Sequence, residues 1–432
     1  MCAVCASDSP SEILMLQSLS YRSVRQAAEP SFREFVFVIV IMMAMGSWSI
    51  DNLLPAFEPI RQSFGASSAN EMQLILTAYM AGFALMQVVY GPLSDRFGRR
   101  PILMFGLVFY TAGTVLAIVS ANYETLLVAR VVQGLGAAAA RVLAVAIVRD
   151  RFAGREMARV MSLTMMIFII VPVFAPATGS LILLFGSWRL IFVSMLALAL
   201  LVVVWFGLRM PETLHPEYRR ALSVKNIRRS VGRIVHTRVS IGYATALGLS
   251  MASLMTYLGS SQEIFQTETY HLGNGFVVVF GLIATCMGLA SFANSRLVQR
   301  LGMRRMSHFG LCGFIAVAAL LLIQGLYFGG RPPLLLFVPC MGLAHFLLSL
   351  TMPNFNTLAM EPLGDIAGTA SSFVGGYMTL VGAIGGYIFG QAFNGTMLPL
   401  AAAYLGLSLT CLAVVLWTER GRLFTAHPRA GA

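Results

Sequence analysis

From residue 35 onward the chain repeats one pattern, a run of roughly 20 apolar residues followed by a short polar or glycine-containing interruption. Twelve such windows cover residues 35–57, 71–93, 101–120, 124–148, 157–185, 188–208, 239–259, 275–298, 306–328, 332–352, 367–393 and 397–417. A helix of that length crosses a hydrocarbon core of about 30 Å, so the pattern predicts an all-α membrane protein with 12 transmembrane helices. Ser and Thr interrupt the window at 239–259 most often. The polar stretch 209–238 follows the sixth window and leaves six on each side. The expected organisation is an arm at 1–33, a six-helix bundle at 34–208, a basic linker at 209–238, a second six-helix bundle at 239–418 and a tail at 419–432.

Composition agrees with a lipid solvent. Of the 432 residues 57% are hydrophobic and 11% charged, against roughly 45–50% and about 25% in soluble domains, which excludes a soluble globule. The net charge of +12 invites a nucleic-acid reading until the charges are placed. If the turn GPLSDRFGRRP at 91–101 is cytoplasmic, that side holds 25 of the 30 Lys and Arg. Only Arg61, Arg189 and Arg331 lie opposite, while Arg130 and Arg141 fall inside windows. This is the positive-inside bias; it sets both termini in the cytoplasm, and no nucleic-acid partner is needed. The linker's excess of arginine over Glu212 and Glu217 reads as a solvated segment near anionic headgroups.

Residues 1–33 lack the apolar core of a cleaved signal peptide, so the first window itself is the expected targeting signal. Cys2 and Cys5 form a lone CxxC with no second pair to complete a zinc site, and the six His are scattered. Cys286, Cys312, Cys340 and Cys411 lie in windows as lipid-facing or packed small residues. No GxxxxGK[ST] loop is present. Neither a metal, a cofactor nor an enzymatic or ATP-driven step is expected.

The halves echo each other. NSRLVQRLGMRRM begins at Asn294, between the eighth and ninth windows, where GPLSDRFGRRP sits between the second and third. Aligning Gly98 with Gly302 places Arg96 on Arg300 and Arg100 on Arg304, but Asp95 on Gln299. Such a parallel repeat places a binding site between the halves near the membrane midplane.

GPLSDRFGRRP resembles the signature loop of the major facilitator superfamily, with Gly91, Leu93, Asp95, Arg96, Gly98, Arg99 and Arg100 at the defining positions. Gly91 allows close helix approach and Gly98 a tight turn; Asp95 can cap or pair, while Arg99 and Arg100 stay at the headgroup level. The resemblance implies that this cluster gates the cytoplasmic side. In the fourth window Arg130, Gln133, Gly134 and Gly136 resemble the family's second motif. An arginine inside an apolar helix costs about 2.5–3.5 kcal/mol on insertion scales, so it should face a cavity or a partner. Arg141 lies three helical turns and about 16 Å further along the same face, with Gly134 and Ala137 between, a stripe that reads as a cavity wall. Arg141 either belongs to that cavity or snorkels to the membrane edge.

Of the 18 acids only Asp51 falls well inside a window, in GSWSIDNLLPAF. That stretch resembles the first span of the drug–proton antiporters, particularly the bicyclomycin-resistance (Bcr/CflA) branch, which implies that Asp51 carries protons and that Arg130 modulates it. The alternative is a helix cap or a static pair. VPVFAPATGSLI in the fifth window resembles the antiporter motif, with Pro172, Pro176 and Gly179 marking a bend. Candidate substrate contacts are Trp48, Gln73, Tyr79, Gln87, Gln133, Arg141, Tyr243, Ser250 and Thr256, with Met165, Met166, Phe168 and Met251 as adaptable apolar ones.

The resemblance thus implies a monomeric multidrug exporter of a bacterial inner membrane, driven by the proton-motive force and taking small amphipathic or cationic molecules. A proton symporter importing an organic anion on Arg130 and Arg141 is the nearest alternative, and a non-transporting sensor on the same scaffold another.

Overall fold

The computed structural model describes residues 30–66, 69–152, 154–215, 217, 219 and 224–424. Among these it places twelve long helices and no sheet. The first six are α1 Phe32–Asp51, α2 Gln73–Phe97, α3 Arg99–Ile118, α4 Tyr123–Arg151, α5 Gly154–Leu183 and α6 Arg189–Arg209. The second six are α7 Arg238–Gln262, α8 Phe276–Leu301, α9 Met303–Tyr327, α10 Leu334–Met360, α11 Ala367–Gly390 and α12 Leu398–Thr418. Side chains such as Leu85, Leu200, Phe309 and Leu335 stand exposed on the outside, as a lipid solvent requires.

Two departures from the windows bear on the site. The first window is not one helix: α1 ends at Asp51, and a 3₁₀ turn at Leu54–Ala56 leads into a short helix at Phe57–Phe64. Pro55 has no N–H for a continuing α-helical ladder and occupies the start of the new turn. The seventh window, expected to end at 259, continues as α7 to Gln262 and then as a π-helical turn at Glu263–Thr267. Within the linker, a basic helix at Val224–His236 lies against α7 and α11 through Ile234. Both α5 prolines sit inside an unbroken helix.

The packing carries the repeat that the sequence only hinted at. In the first half α2 and α3 both pack on α4, α1 on α5, and α3 and α1 on α6. Adding six to each number gives α8 and α9 on α10, α7 on α11, and α9 and α7 on α12, all of which are also observed. The two seams between halves, α2 with α11 and α5 with α8, exchange under the same operation. The molecule therefore consists of two six-helix bundles related by a pseudo-two-fold axis. The repeated loops share even their backbone: Gly98 and Gly302 end α2 and α8 with φ of 102° and 83°.

Helix α4 is the hub of the first bundle because its glycines let neighbouring backbones touch it. A Cβ on Gly134 would fall on the Tyr79 carbonyl and 3.0 Å from the Phe83 nitrogen, both on α2. The Gly134–Ala137 stripe is thus the seat of α2 and not an open cavity wall. Gly46 in α1 offers the contrast, since a methyl group there would meet nothing within 4 Å. Gly134→Ala is expected to cost about 1–3 kcal/mol through overpacking against backbone. Gly46→Ala should be neutral or slightly stabilising. Thermal unfolding of the two purified variants beside the parent chain checks the difference.

Candidate functional site

The helix break at Asp51 leaves a carbonyl without its ordinary partner. Leu53 N–H, which would close the ladder onto Ser49, bonds instead to Ile50 at 3.3 Å. Arg130 of α4 takes the freed acceptor, donating through Nη2 to the Ser49 carbonyl at 3.0 Å. Its Nε reaches the Ile75 carbonyl of α2 at 3.3 Å, and Nη1 reaches Gln133 Oε1 at 2.5 Å. The guanidinium lies 4.5 Å from the Tyr79 ring centre and 5.9 Å from that of Phe192 on α6. Gln133 Nε2 passes the network to Thr114 at 2.8 Å, and the Ser49 hydroxyl meets Tyr110 at 2.6 Å, both on α3. One wholly buried arginine therefore joins α1, α2, α3, α4 and α6.

Asp51 lies two residues beyond that tie and is 4% exposed. Among the described residues its carboxyl has no hydrogen bond or ion pair. Arg130, expected as its modulator, engages the backbone of the same helix and not the acid. The 3₁₀ turn after α1 touches α7, the helix that carries Tyr257. The Tyr257 hydroxyl is buried and without a partner among the described residues; its ring stacks on Phe280 and meets His345 edge-on at 4.3 Å. His345 in turn faces the Tyr404 hydroxyl at 3.3 Å. A cavity of about 10 Å³, room for about one water, lies nearby between the halves. It is lined by Gln73, Thr77 and Met80 of α2, Met255 and Gly259 of α7, and Gly386 of α11.

At the arginine-rich end each bundle holds its own ion cluster. Arg99, at the start of α3, is buried in protein because two acids converge on it: Asp95 at 2.6 Å and Asp150, from the end of α4, at 2.8 Å. Glu212, which follows α6, accepts from the backbone N–H groups of Arg99 and Arg100 at 2.8 and 3.1 Å and so caps α3. Arg96 and Arg100 are exposed. In the second bundle Arg304 pairs with Glu361 at 3.2 Å and Glu419 at 2.9 Å. Asp95 and Asp150 lie in the same half as Arg99, and Glu361 and Glu419 in the same half as Arg304. Contact between halves here runs through the glycine, since a Cβ on Gly91 would sit 2.5 Å from Ser372 Oγ on α11.

The remaining candidates scatter. Gln87 lies on the α2–α11 seam, accepting from Thr379 at 3.0 Å. Met251 fills the space beside Gly382. Trp48 is half-buried with its indole N–H unpartnered among the described residues, and Arg141 is half-buried on α4. Gln133 is not in a cavity: Arg130 and Thr114 consume its amide inside the bundle. Tyr243 is likewise misplaced by the expectation, since five residues into α7 it sits at the arginine-rich end and donates to Glu419 at 2.6 Å. Gly179 lets α5 rest on Asn52 and Pro55; Pro176 beside it is buried and Pro172 half-buried. Met165 and Phe168 lie on α5, but their side chains are outside the described residues, as are Cys2 and Cys5. Among the described residues no cluster could hold a metal, and Cys286, Cys312, Cys340 and Cys411 are free thiols. Sequence reasoning missed Glu212 and Glu263, because both fell outside the apolar windows.

Burial alone would raise the Glu419 carboxyl, but the Tyr243 hydroxyl and Arg304 outweigh it and hold the group below its ordinary 4.5. A depressed acid stabilises the fold above its unfolded-state value, and that contribution is lost as pH falls through the folded one. Glu419→Gln is therefore expected to cost about 1–3 kcal/mol at neutral pH. The gap from the parent chain should shrink below the ordinary carboxylate range, as read from unfolding midpoints across a pH series.

Comparison with known proteins agrees with this architecture. The model of the Major Facilitator Superfamily matches residues 36–386. An uncharacterized MFS-type transporter, YdgK, of Bacillus subtilis (strain 168) is 31% identical over 354 residues, covering 81% of this chain and 86% of that protein. The bicyclomycin resistance protein homolog of Haemophilus influenzae is 29% identical over 372 residues, covering 85% and 91%. The crystal structure of a D-xylose-proton symporter superposes with a TM-score of 0.72 at 16% identity, over 92% of this chain and 99% of that one. The chain thus belongs to the major facilitator superfamily, as a multi-pass bacterial membrane carrier that works by alternating access and catalyses no chemical step.

Proposed function

We propose that the protein is a proton-driven exporter of small amphipathic or cationic molecules, of the drug–proton antiporter type and nearest to the bicyclomycin-resistance branch. One observation carries the reading: Asp51 is a buried carboxyl with no partner among the described residues, placed at a helix break on the seam between the halves. A static structural acid would be capped or paired, whereas a carrier of protons must be able to change its charge as its surroundings change. The resistance function in the name of the Haemophilus relative points the same way.

In this reading the bundles 34–208 and 239–418 rock about the site, with both termini and the arginine-rich end in the cytoplasm. A proton entering from outside neutralises Asp51, and its release inside drives substrate out. Arg130 acts by fixing the end of α1, so that Asp51 keeps its place while the seam opens and closes. The cluster of Asp95, Arg99 and Asp150 stiffens the cytoplasmic end of the first bundle, and Gly91 against Ser372 forms the closing contact. Anion symport loses one of its two proposed ligands, since Arg130 is committed to the Ser49 and Ile75 carbonyls and Gln133.

Everted membrane vesicles test the proposal. With a panel of cationic and amphipathic compounds, the parent chain is expected to collapse a preset pH gradient on addition of a substrate. Asp51→Asn should abolish that collapse, by at least about tenfold in rate. Undiminished proton exchange in Asp51→Asn would sink the assignment of Asp51. Accumulation of an external metabolite by whole cells, with no export of any compound, would sink the direction.

A further inference from the structure

The seam contains a second buried acid. Glu263 opens the π-helical turn after α7 and is 1% exposed. Its Oε2 accepts a long hydrogen bond of 3.4 Å from Gln73 Nε2, and its Oε1 has no partner among the described residues. The same Gln73 amide donates to the Gly390 carbonyl at 3.0 Å, while Gln73 Oε1 and Gln262 Nε2 are buried and have no partner among the described residues. Alongside, Asn70 donates to the Gln391 and Phe393 carbonyls at 3.1 and 3.2 Å, and Gln391 returns a bond to the Asn70 carbonyl at 2.8 Å. Asn70 and Gln73 belong to the first half; Glu263, Gly390 and Gln391 belong to the second. This is a polar clamp closing the end of the seam opposite the arginine-rich loops, and Gln73 also lines the cavity.

The chemistry of the clamp depends on one proton. An ionised carboxylate is an acceptor only, and here it meets a single long N–H from a neutral amide where water is excluded. A neutral acid carries an O–H to donate, and Gln73, which already touches it, has an orphan acceptor. The ionised form is satisfied only by water, which enters when the halves part. The π-helical turn adds a local irregularity of the kind that accumulates at functional positions.

We propose that Glu263 is a second proton-binding site of the carrier, separate from Asp51: the clamp closes with a proton on Glu263 and opens when that proton passes to water. The inference rests on alternating access and is independent of export or import. Other titratable groups on the surrounding elements are Glu268 at the end of the turn, which faces Arg61, then Tyr270 and His271 in the following loop. Glu71 precedes α2, Tyr257 and Tyr387 lie on α7 and α11, and Cys286, Cys340 and His345 lie deeper on α8 and α10.

The test places cysteines at Ala69 and Ala392, beside the bonded pair Asn70 and Gln391, in the full chain reconstituted in nanodiscs. Bridging by a bifunctional methanethiosulfonate is measured between about pH 5.5 and about pH 8.5, with the chain lacking both added cysteines as blank. Each yield is divided by that of the same chain carrying Glu263→Gln, which cancels the pH dependence of thiol chemistry. The ratio is expected near one at the acid end and at least about fivefold lower at the alkaline end. A flat ratio overturns the proposal, as does loss of the pH dependence in His271→Gln with Glu263 intact. If Glu263→Gln does not reach the membrane, Gln73→Met substitutes for it. Its bridging at acid pH should fall to the parent chain's alkaline level, and no fall there refutes the clamp.

Discussion

A guanidinium with no carboxylate partner among the described residues holds five of the first six helices together. Arg130 is wholly buried, which on insertion scales costs about 2.5–3.5 kcal/mol, and three oxygen acceptors and two aromatic faces offset that cost. One of those acceptors, the Ser49 carbonyl, is left open where the helix breaks ahead of Pro55 and Leu53 N–H turns to Ile50. The break, the arginine and the acid two residues later are therefore one device. The break leaves Arg130 an acceptor on α1 that no backbone N–H claims, and without Arg130 that carbonyl would be buried unsatisfied.

The same economy shapes the two ends of the molecule. At the arginine-rich end charges pair within each bundle, so the bundles are stiff there and meet through small residues, Gly91 against Ser372 and Gly375 against Gln87. At the opposite end the halves meet through neutral amides around one acid. Contacts made of single hydrogen bonds and glycine faces separate without leaving unpaired charges behind, which suits surfaces that must part and re-form. The buried ion pairs lie inside the bundles, whereas Asp51 and Glu263 on the seam have no ion-pair partner among the described residues.

Much of the architecture was legible in the sequence, because a bilayer imposes span length and a glycine with positive φ marks each repeated loop. Helix count, the repeat and the buried Arg130 all followed from such constraints. What the sequence could not supply was depth and register. Tyr243 looked like a cavity residue because a polar side chain in an apolar window can sit at any depth; it lies at the charged end, on Glu419. Arg130 was matched to the only acid in reach on the window, but the helix break brought a backbone carbonyl closer. Glu263 escaped notice because hydropathy ended its window at 259, while the helix, which answers to hydrogen bonding, continued to the π turn. The glycine stripe on α4 signalled closeness correctly but not whether a cavity or a helix was the neighbour; α2 fills it.

The claim on which the rest depends is that Arg130 holds the broken end of α1. Hydrogen exchange of the parent chain and Arg130→Met, followed by mass spectrometry in nanodiscs, tests it without need of a substrate. Faster exchange is predicted around residues 49–57 and at the start of α2, with the second bundle unchanged. Unaltered exchange at 49–57, or an equal rise in both bundles, would contradict it.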